Sequence, residues 1–279
     1  MAVDIAEAVL ITELRSKPAG AKLWPAIWPK VLAVAIFIGA WQVVVWTHWK
    51  HEYIVPSPFT VLRQFPHDAG SLTGAVGVTM RRAATGFAVS ILIGGVVGLA
   101  VARVQVLRAA IGSMITGLQT MPSVAWVPLA IVLFQLSERA ILFVVILGAA
   151  PSIANGIIDG IDNVPPLLMR AGRVLGARGW SALRYVVIPA ALPSVVSGLK
   201  QGWAFAWRSL MAGELIAGFP GHVGIGQVLN NTAQNADFVG VYEAMIVIFV
   251  IGVVVDAAFF GAIVRAIRKR YGLIDAAAI

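Results

Sequence analysis

Six long apolar runs mark the chain, separated by shorter stretches where prolines, glycines and charged residues collect. Each run approaches the roughly 20 residues that a helix needs to cross the hydrocarbon layer of a bilayer. No water is available in that layer, so a spanning segment must satisfy its own backbone by being helical. The pattern predicts spans over about 26–46, 83–102, a third from near Ala109, then 141–158, 192–211 and 241–264. Trp24, Trp28, Trp46 and Trp49 cluster at the two ends of the first span, as aromatic residues do at membrane interfaces. Gly86, Gly94, Gly95 and Gly98 let the second span approach a neighbour closely. Pro122 and Pro128 interrupt the third, which membrane helices tolerate where the freed carbonyls find other partners, often around a cavity. Pro56, Pro58 and Pro66 are expected to keep the first connector non-helical. The fold class is an all-α polytopic membrane protein of about six transmembrane helices.

Composition strengthens this reading. Hydrophobic residues make up 59% and charged residues 12% of the 279 residues, and mean hydropathy is +0.87. A soluble domain carries roughly 25% charged residues. The net charge of +8 does not indicate nucleic acid, because the charges sit in short loops beside apolar spans. The lack of cysteine excludes disulfides and thiolate metal sites. Among His48, His51, His67 and His222, only the first two are close in sequence, at an expected membrane edge, so no metal site is assigned. No catalytic residue is assigned either. The first apolar run lacks a small-residue cleavage site and is expected to be a retained helix.

Orientation follows from the basic residues of the loops. One side holds Arg15, Lys17, Lys22, Lys30, Arg103, Arg108, Arg170, Arg173, Arg178, Arg184, Arg265, Arg268, Lys269 and Arg270; the other holds Lys50, Arg63, Arg81, Arg82 and Arg139. The richer side is cytoplasmic, which places both termini inside. The domain reading is a cytoplasmic arm over 1–25, a transmembrane domain over 26–264 and a cytoplasmic tail over 265–279.

Between the fourth and fifth spans, over about 159–189, lies an amphipathic segment. Leu167, Leu168, Ala171, Val174 and Leu175 form one stripe at helical spacing. Gly176 permits a break, and Leu183, Val186 and Val187 begin a second stripe before Pro189. The pattern reads as two short helices at a corner, lying on lipid or docked in the groove of a soluble partner.

The run from Ala171 to Pro193, with Gly176-Ala177 followed by Ile188-Pro189, resembles the EAA loop of bacterial ABC-importer permeases. Arg170 stands where that family has glutamate, and Gly172 where it has a second alanine. Val55-Pro56-Ser57-Pro58, the proline-containing stretch from Gln119 to Leu129, and Gly213-Glu214-Leu215 with Gly224-Ile225-Gly226 resemble signatures of the nitrate, sulfonate and taurine permeases in the same order. The resemblance implies a MetI-like permease core in the bacterial inner membrane, working as a homodimer. It implies coupling to an ATPase through Arg170, Ala171, Gly172, Arg173, Leu175, Gly176, Ala177, Trp180 and Leu183, with solute delivered by a periplasmic or lipid-anchored binding protein. No Gly-x-x-x-x-Gly-Lys-[Ser/Thr] occurs, so this chain has no P-loop for nucleotide phosphates. ATP and Mg are therefore expected in a separate subunit, with no cofactor here.

Two polar stripes, together with Glu214 just beyond the fifth span, are candidates for the pathway. Ser197, Lys200, Gln201, Ala204, Arg208 and Met211 share a face of the fifth span. Charges inside membranes usually face a protein interior or a wet cavity. Arg208 either favours an anion in the pathway, snorkels to an interface, or pairs with Glu214. Thr116, Gln119, Thr120 and Ser123 share a face of the third span, lining the path or bonding to neighbouring helices. Asp256, alone in the sixth span, is expected to pair with a nearby basic residue rather than relay protons. The expected substrate is a small anion such as nitrate, a sulfonate or taurine. A pyrimidine vitamin precursor, an ATP-independent carrier and, more remotely, an intramembrane enzyme are the alternatives.

Overall fold

The computed structural model describes residues 19–218 and 221–270, with side chains over 27–218 and 221–267. The rest of the expected N-terminal arm and C-terminal tail lies outside the described residues. All regular structure among these residues is helical. Five helices are long and apolar enough to cross a membrane, or six if one sharply bent pair is counted as a span.

The chain divides into two units, one ending at Gln64 and the other beginning at Phe65. The first contains α1 (Ala19–Trp46) and the start of α2 (Pro58–Arg103). The apolar residues of α1 from Ile27 to Val44 are mostly exposed, as lipid-facing residues are. Trp41 Nε1 donates to the Pro56 carbonyl at 3.1 Å. The Ser57 hydroxyl accepts from the Thr60 N–H at 3.2 Å. Val55-Pro56-Ser57-Pro58 is therefore a helix start: a serine cap, then a proline in the first turn where its missing N–H costs nothing. Pro58 begins α2 rather than preventing it, and Pro66 lies inside the same helix. At 46 residues, α2 is about 69 Å long and outruns the hydrocarbon layer more than twofold.

In the second unit, α3 (Gln105–Thr120) and α4 (Val127–Phe134) flank a short 3₁₀ turn, Ser123–Trp126, and are bent by 107°. The expected third span is thus a helix of 16 residues and one of 8, set at a sharp angle. Met121, held extended ahead of Pro122, ends the first half. Pro128 sits in the first turn of the second half, which it starts rather than breaks.

The core is organised on α5 (Glu138–Asp162), which packs along α7 (Trp180–Ile216). Gly156 and Gly198 meet at the crossing, where a Cβ built on Gly156 would lie 2.5 Å from the Gly198 Cα. Gly98 of α2 meets Ala154 backbone in the same way, at 2.7 Å. Small residues let bare backbones touch, and van der Waals contact replaces the hydrophobic drive that lipid abolishes. A short helix α6 (Pro166–Val174) precedes α7; α8 (Ile225–Gln234) and α9 (Phe238–Ile267) complete the fold. The second half of the expected cytoplasmic corner is no separate helix. It is the first turns of α7, which runs through a π-type stretch at Leu183–Val187 and past Pro189.

Candidate functional site

The elbow between α6 and α7 is shaped by two glycines. Gly176 and Gly179 take φ of +83° and +53°, the left-handed region that glycine enters without a Cβ penalty. Ala177 N–H donates to the Gly172 carbonyl at 2.8 Å, and Gly176 N–H to that of Arg173 at 3.0 Å. These two bonds form a Schellman helix end, so the Gly176-Ala177 pair is the stop signal of α6. On the far side of the turn the Ser181 hydroxyl accepts from Arg178 N–H at 2.9 Å. Gly172 is buried, and a Cβ there would lie 2.7 Å from Val186 Cγ2. Glycine in place of the family's alanine therefore lets α6 settle against the π-type stretch.

The apolar stripe of α6 points outward. Leu167 is 74%, Val174 88%, Leu175 86% and Trp180 72% exposed. Arg170, Ala171, Arg173 and Gly176 are also exposed, whereas Ala177 and Leu183 are half-buried.

The stripe on α7 is the exposed line of an otherwise packed helix. Ser197, Lys200, Gln201, Ala204 and Arg208 are exposed, while Val196, Trp203, Ala206, Trp207 and Leu210 are buried. Met211 is buried as well, so the stripe stops one turn before it. The Arg208 guanidinium lies 4.5 Å from the Phe205 ring centroid, and its Nε donates to the Ala204 carbonyl at 3.2 Å. Lys200 Nζ lies 3.1 Å from Asp256 Oδ2, the basic partner expected for that carboxylate. Of the third-span residues, Thr116 and Thr120 are exposed, and Gln119 and Ser123 are half-buried. The 3₁₀ turn that Ser123 opens packs against α7.

Glu214, the remaining pathway candidate, belongs to neither stripe and is enclosed by protein rather than open to a path. It is fully buried, and its carboxylate accepts from Arg82 Nη1 at 2.9 Å, from the Thr79 hydroxyl at 2.9 Å and from Gly226 N–H at 3.0 Å. The Thr79 oxygen accepts from Ile225 N–H at 2.8 Å, and Arg82 Nη2 donates to the His222 carbonyl at 2.7 Å. A Cβ on Gly224 would collide with the carboxylate, and one on Gly226 would lie 2.8 Å from Glu214 Cβ. The two glycines thus make room for the acid, which explains the joint occurrence of the Gly213-Glu214 and Gly224-Ile225-Gly226 motifs. Arg208 therefore does not pair with Glu214. Arg82 is an internal partner rather than a loop charge, and Arg81 is tied to Glu138 at 3.0 Å. Sequence reading missed Thr79 and Arg82; the available signal was an arginine four spans away from a lone glutamate.

A further ion pair ties the start of α3 to the end of α5. Arg108, in the first turn of α3, forms two 2.8 Å hydrogen bonds to the Asp162 carboxylate at the end of α5. It also donates to the Ala102 carbonyl at 3.3 Å. Both side chains are exposed, and solvent screening leaves such a pair little weight in global stability. Arg108→Ala is therefore expected to speed amide hydrogen exchange around 102–110 and 159–163 while leaving the global melting temperature unchanged. A drop in global stability would mean that the corner is part of the core.

The family described as binding-protein-dependent transport system inner membrane component matches residues 90–271, well over half of the chain. The chain belongs to that family. The permease is 29% identical, over 81% of its length and 88% of the relative, to a protein of Methanocaldococcus jannaschii that carries an ABC transporter permease name. It is 28% identical, over 82% of its length and 83% of the relative, to a Bacillus subtilis protein named for aliphatic sulfonates transport. The nitrate import permease of Synechocystis sp. is 26% identical, over 82% of the permease and 86% of the relative. Its fold is that of a chain in inward-facing MetNI, a methionine ABC transporter, with a TM-score of 0.59, 20% identity, and coverage of 70% of the permease and 95% of that chain. The permease is thus a multi-pass inner-membrane transport subunit with a MetI-like fold. It is not the catalytic component, and ATP is bound by a partner ATPase.

Proposed function

We propose that the permease conducts a small oxyanion, a sulfonate or nitrate, along a pathway lined by the α7 stripe. The observation that carries this reading is the exposed row Ser197, Gln201 and Arg208 on a helix whose other faces are packed. A cation, an amide and a hydroxyl spaced along one line offer an anion successive replacements for its water shell. Gln119, Thr120 and Ser123, beside the helix break, extend that polar surface. The relatives named for aliphatic sulfonates and nitrate support the same class. A stripe on the outside of one chain becomes a conduit only when a second copy faces it, so the working unit is a homodimer. The termini lie in the cytoplasm, where the elbow from Arg170 to Leu183 meets the ATPase; a solute-binding protein delivers the anion to the other face.

Proteoliposomes carrying the permease, its ATPase and its binding protein test the reading. ATP-dependent uptake of taurine, an alkanesulfonate or nitrate is expected. Arg208→Ala should reduce it by about tenfold or more, the loss of a charge-assisted hydrogen bond of about 1.5–3 kcal/mol. Arg208→Lys should keep a larger share. Full transport by a folded Arg208→Ala variant, or uptake of none of these anions, would overturn it.

A further inference from the structure

The concave side of the elbow holds a cavity of about 240 Å³ between α6 and the start of α7. Gly172, Ala177, Ala182 and Val186 line it together with Arg173 and Arg178. Both arginines are exposed, and neither is among the residues with an ion pair or side-chain partner in the described structure. No acidic residue occurs between Asp162 and Glu214. Arg170 and Arg184 add two more positive charges nearby. The exposed apolar ridge of Leu167, Val174, Leu175 and Trp180 adjoins this basic recess.

We infer that the recess is a socket for an acidic side chain of the ATPase subunit, whose docking groove carries aspartate or glutamate opposite Arg173 and Arg178. This rests on the elbow being the ATPase contact, and it specifies the polarity of that contact. Guanidinium groups are planar forks that match a carboxylate in two-point geometry. The recess is framed by the glycine-determined turn and is large enough for one side chain. An apolar ridge beside a cationic socket fits a groove with an apolar floor and an acidic rim. The charges also select the partner: an ATPase groove with basic residues at that rim would meet four arginines, a juxtaposition that interfaces reject.

The test uses the assembled transporter. Trp180→Cys, at the rim, is first crosslinked to the ATPase subunit to establish the contact by itself. Assembly of permease with ATPase is then measured by co-purification in a detergent without anionic lipid, for Arg173→Glu/Arg178→Glu, Arg173→Lys/Arg178→Lys and Arg173→Gln/Arg178→Gln. Charge reversal is expected to weaken assembly by about tenfold or more, and the lysine pair to remain within about threefold of the parent. Lysine in place of one acidic groove residue of the ATPase should restore the reversed variant. If the reversed variant does not fold, the glutamine pair carries the test and is expected to fall between the other two. A crosslink with undiminished assembly of the reversed or glutamine variant overturns the inference and leaves the contact standing. No crosslink overturns both. A loss confined to vesicles containing anionic lipid overturns it in favour of lipid headgroups.

Discussion

Replacing Glu214 with alanine is expected to destabilise the folded permease by about 3–5 kcal/mol, the cost of stranding a buried charge. Arg82, fully buried, would lose its close anionic partner at 2.9 Å and be left with Glu138 at 3.8 Å. The Thr79 hydroxyl and the Gly226 N–H would lose their acceptor, which compounds the penalty because each buried donor left unmade costs its own desolvation. Thermal unfolding of the detergent-solubilised protein reads the effect as a lower melting temperature and loss of monodisperse elution. Glu214→Gln keeps the shape and an acceptor but not the charge, and should fall between. The double change Arg82→Met with Glu214→Leu should recover part of the loss, since apolar replacement of a buried pair is often neutral or better. Wild-type melting by Glu214→Ala would show that water already reaches the site.

The second large effect lies at the helix crossing. Gly156→Leu is expected to cost at least the 1–3 kcal/mol typical of overpacking. The obstacle is backbone: even the Cβ would lie 2.5 Å from the Gly198 Cα, and no rotamer relieves that. Either α5 and α7 separate along their length or the variant fails to fold. Gly95→Ala is the control, because nothing lies within 4 Å of a Cβ there. It should be neutral or slightly stabilising through helix propensity. A folded, active Gly156→Leu would show that the crossing is not rigid.

The apolar runs were enough to read helices and the bilayer, because a 20-residue apolar stretch has few other homes. The Gly176 break and the Lys200–Asp256 pair were legible for similar local reasons: a left-handed turn and an isolated intramembrane acid each have few solutions. The α7 stripe was legible because helical periodicity shows which residues share a face, although Met211 shows that periodicity does not tell which end of that face is covered. Proline was the least informative signal. Pro58 and Pro128 sit where a helix needs no N–H donor, and Pro66, Pro189 and Pro193 lie within helices. Pro122 does mark a break, at the bend of the third span. The Arg82–Glu214 pair was hidden because its partners are 132 positions apart, a distance at which no local pattern connects them. Arg82 reads as a loop charge because it falls just outside the apolar run that begins near Ala83.

The bare contact between Gly156 and Gly198 has a mechanical consequence. Two rods whose backbones touch cannot slide without their neighbouring side chains jamming, so α5 and α7 behave as one stiff shaft. Any displacement applied at the bend between α6 and α7 would then reach the far end of that shaft without slack. Compliance is left to the joints at either end of α6, around 163–165 and 176–179, and those few residues would set how far α6 can tilt against that shaft.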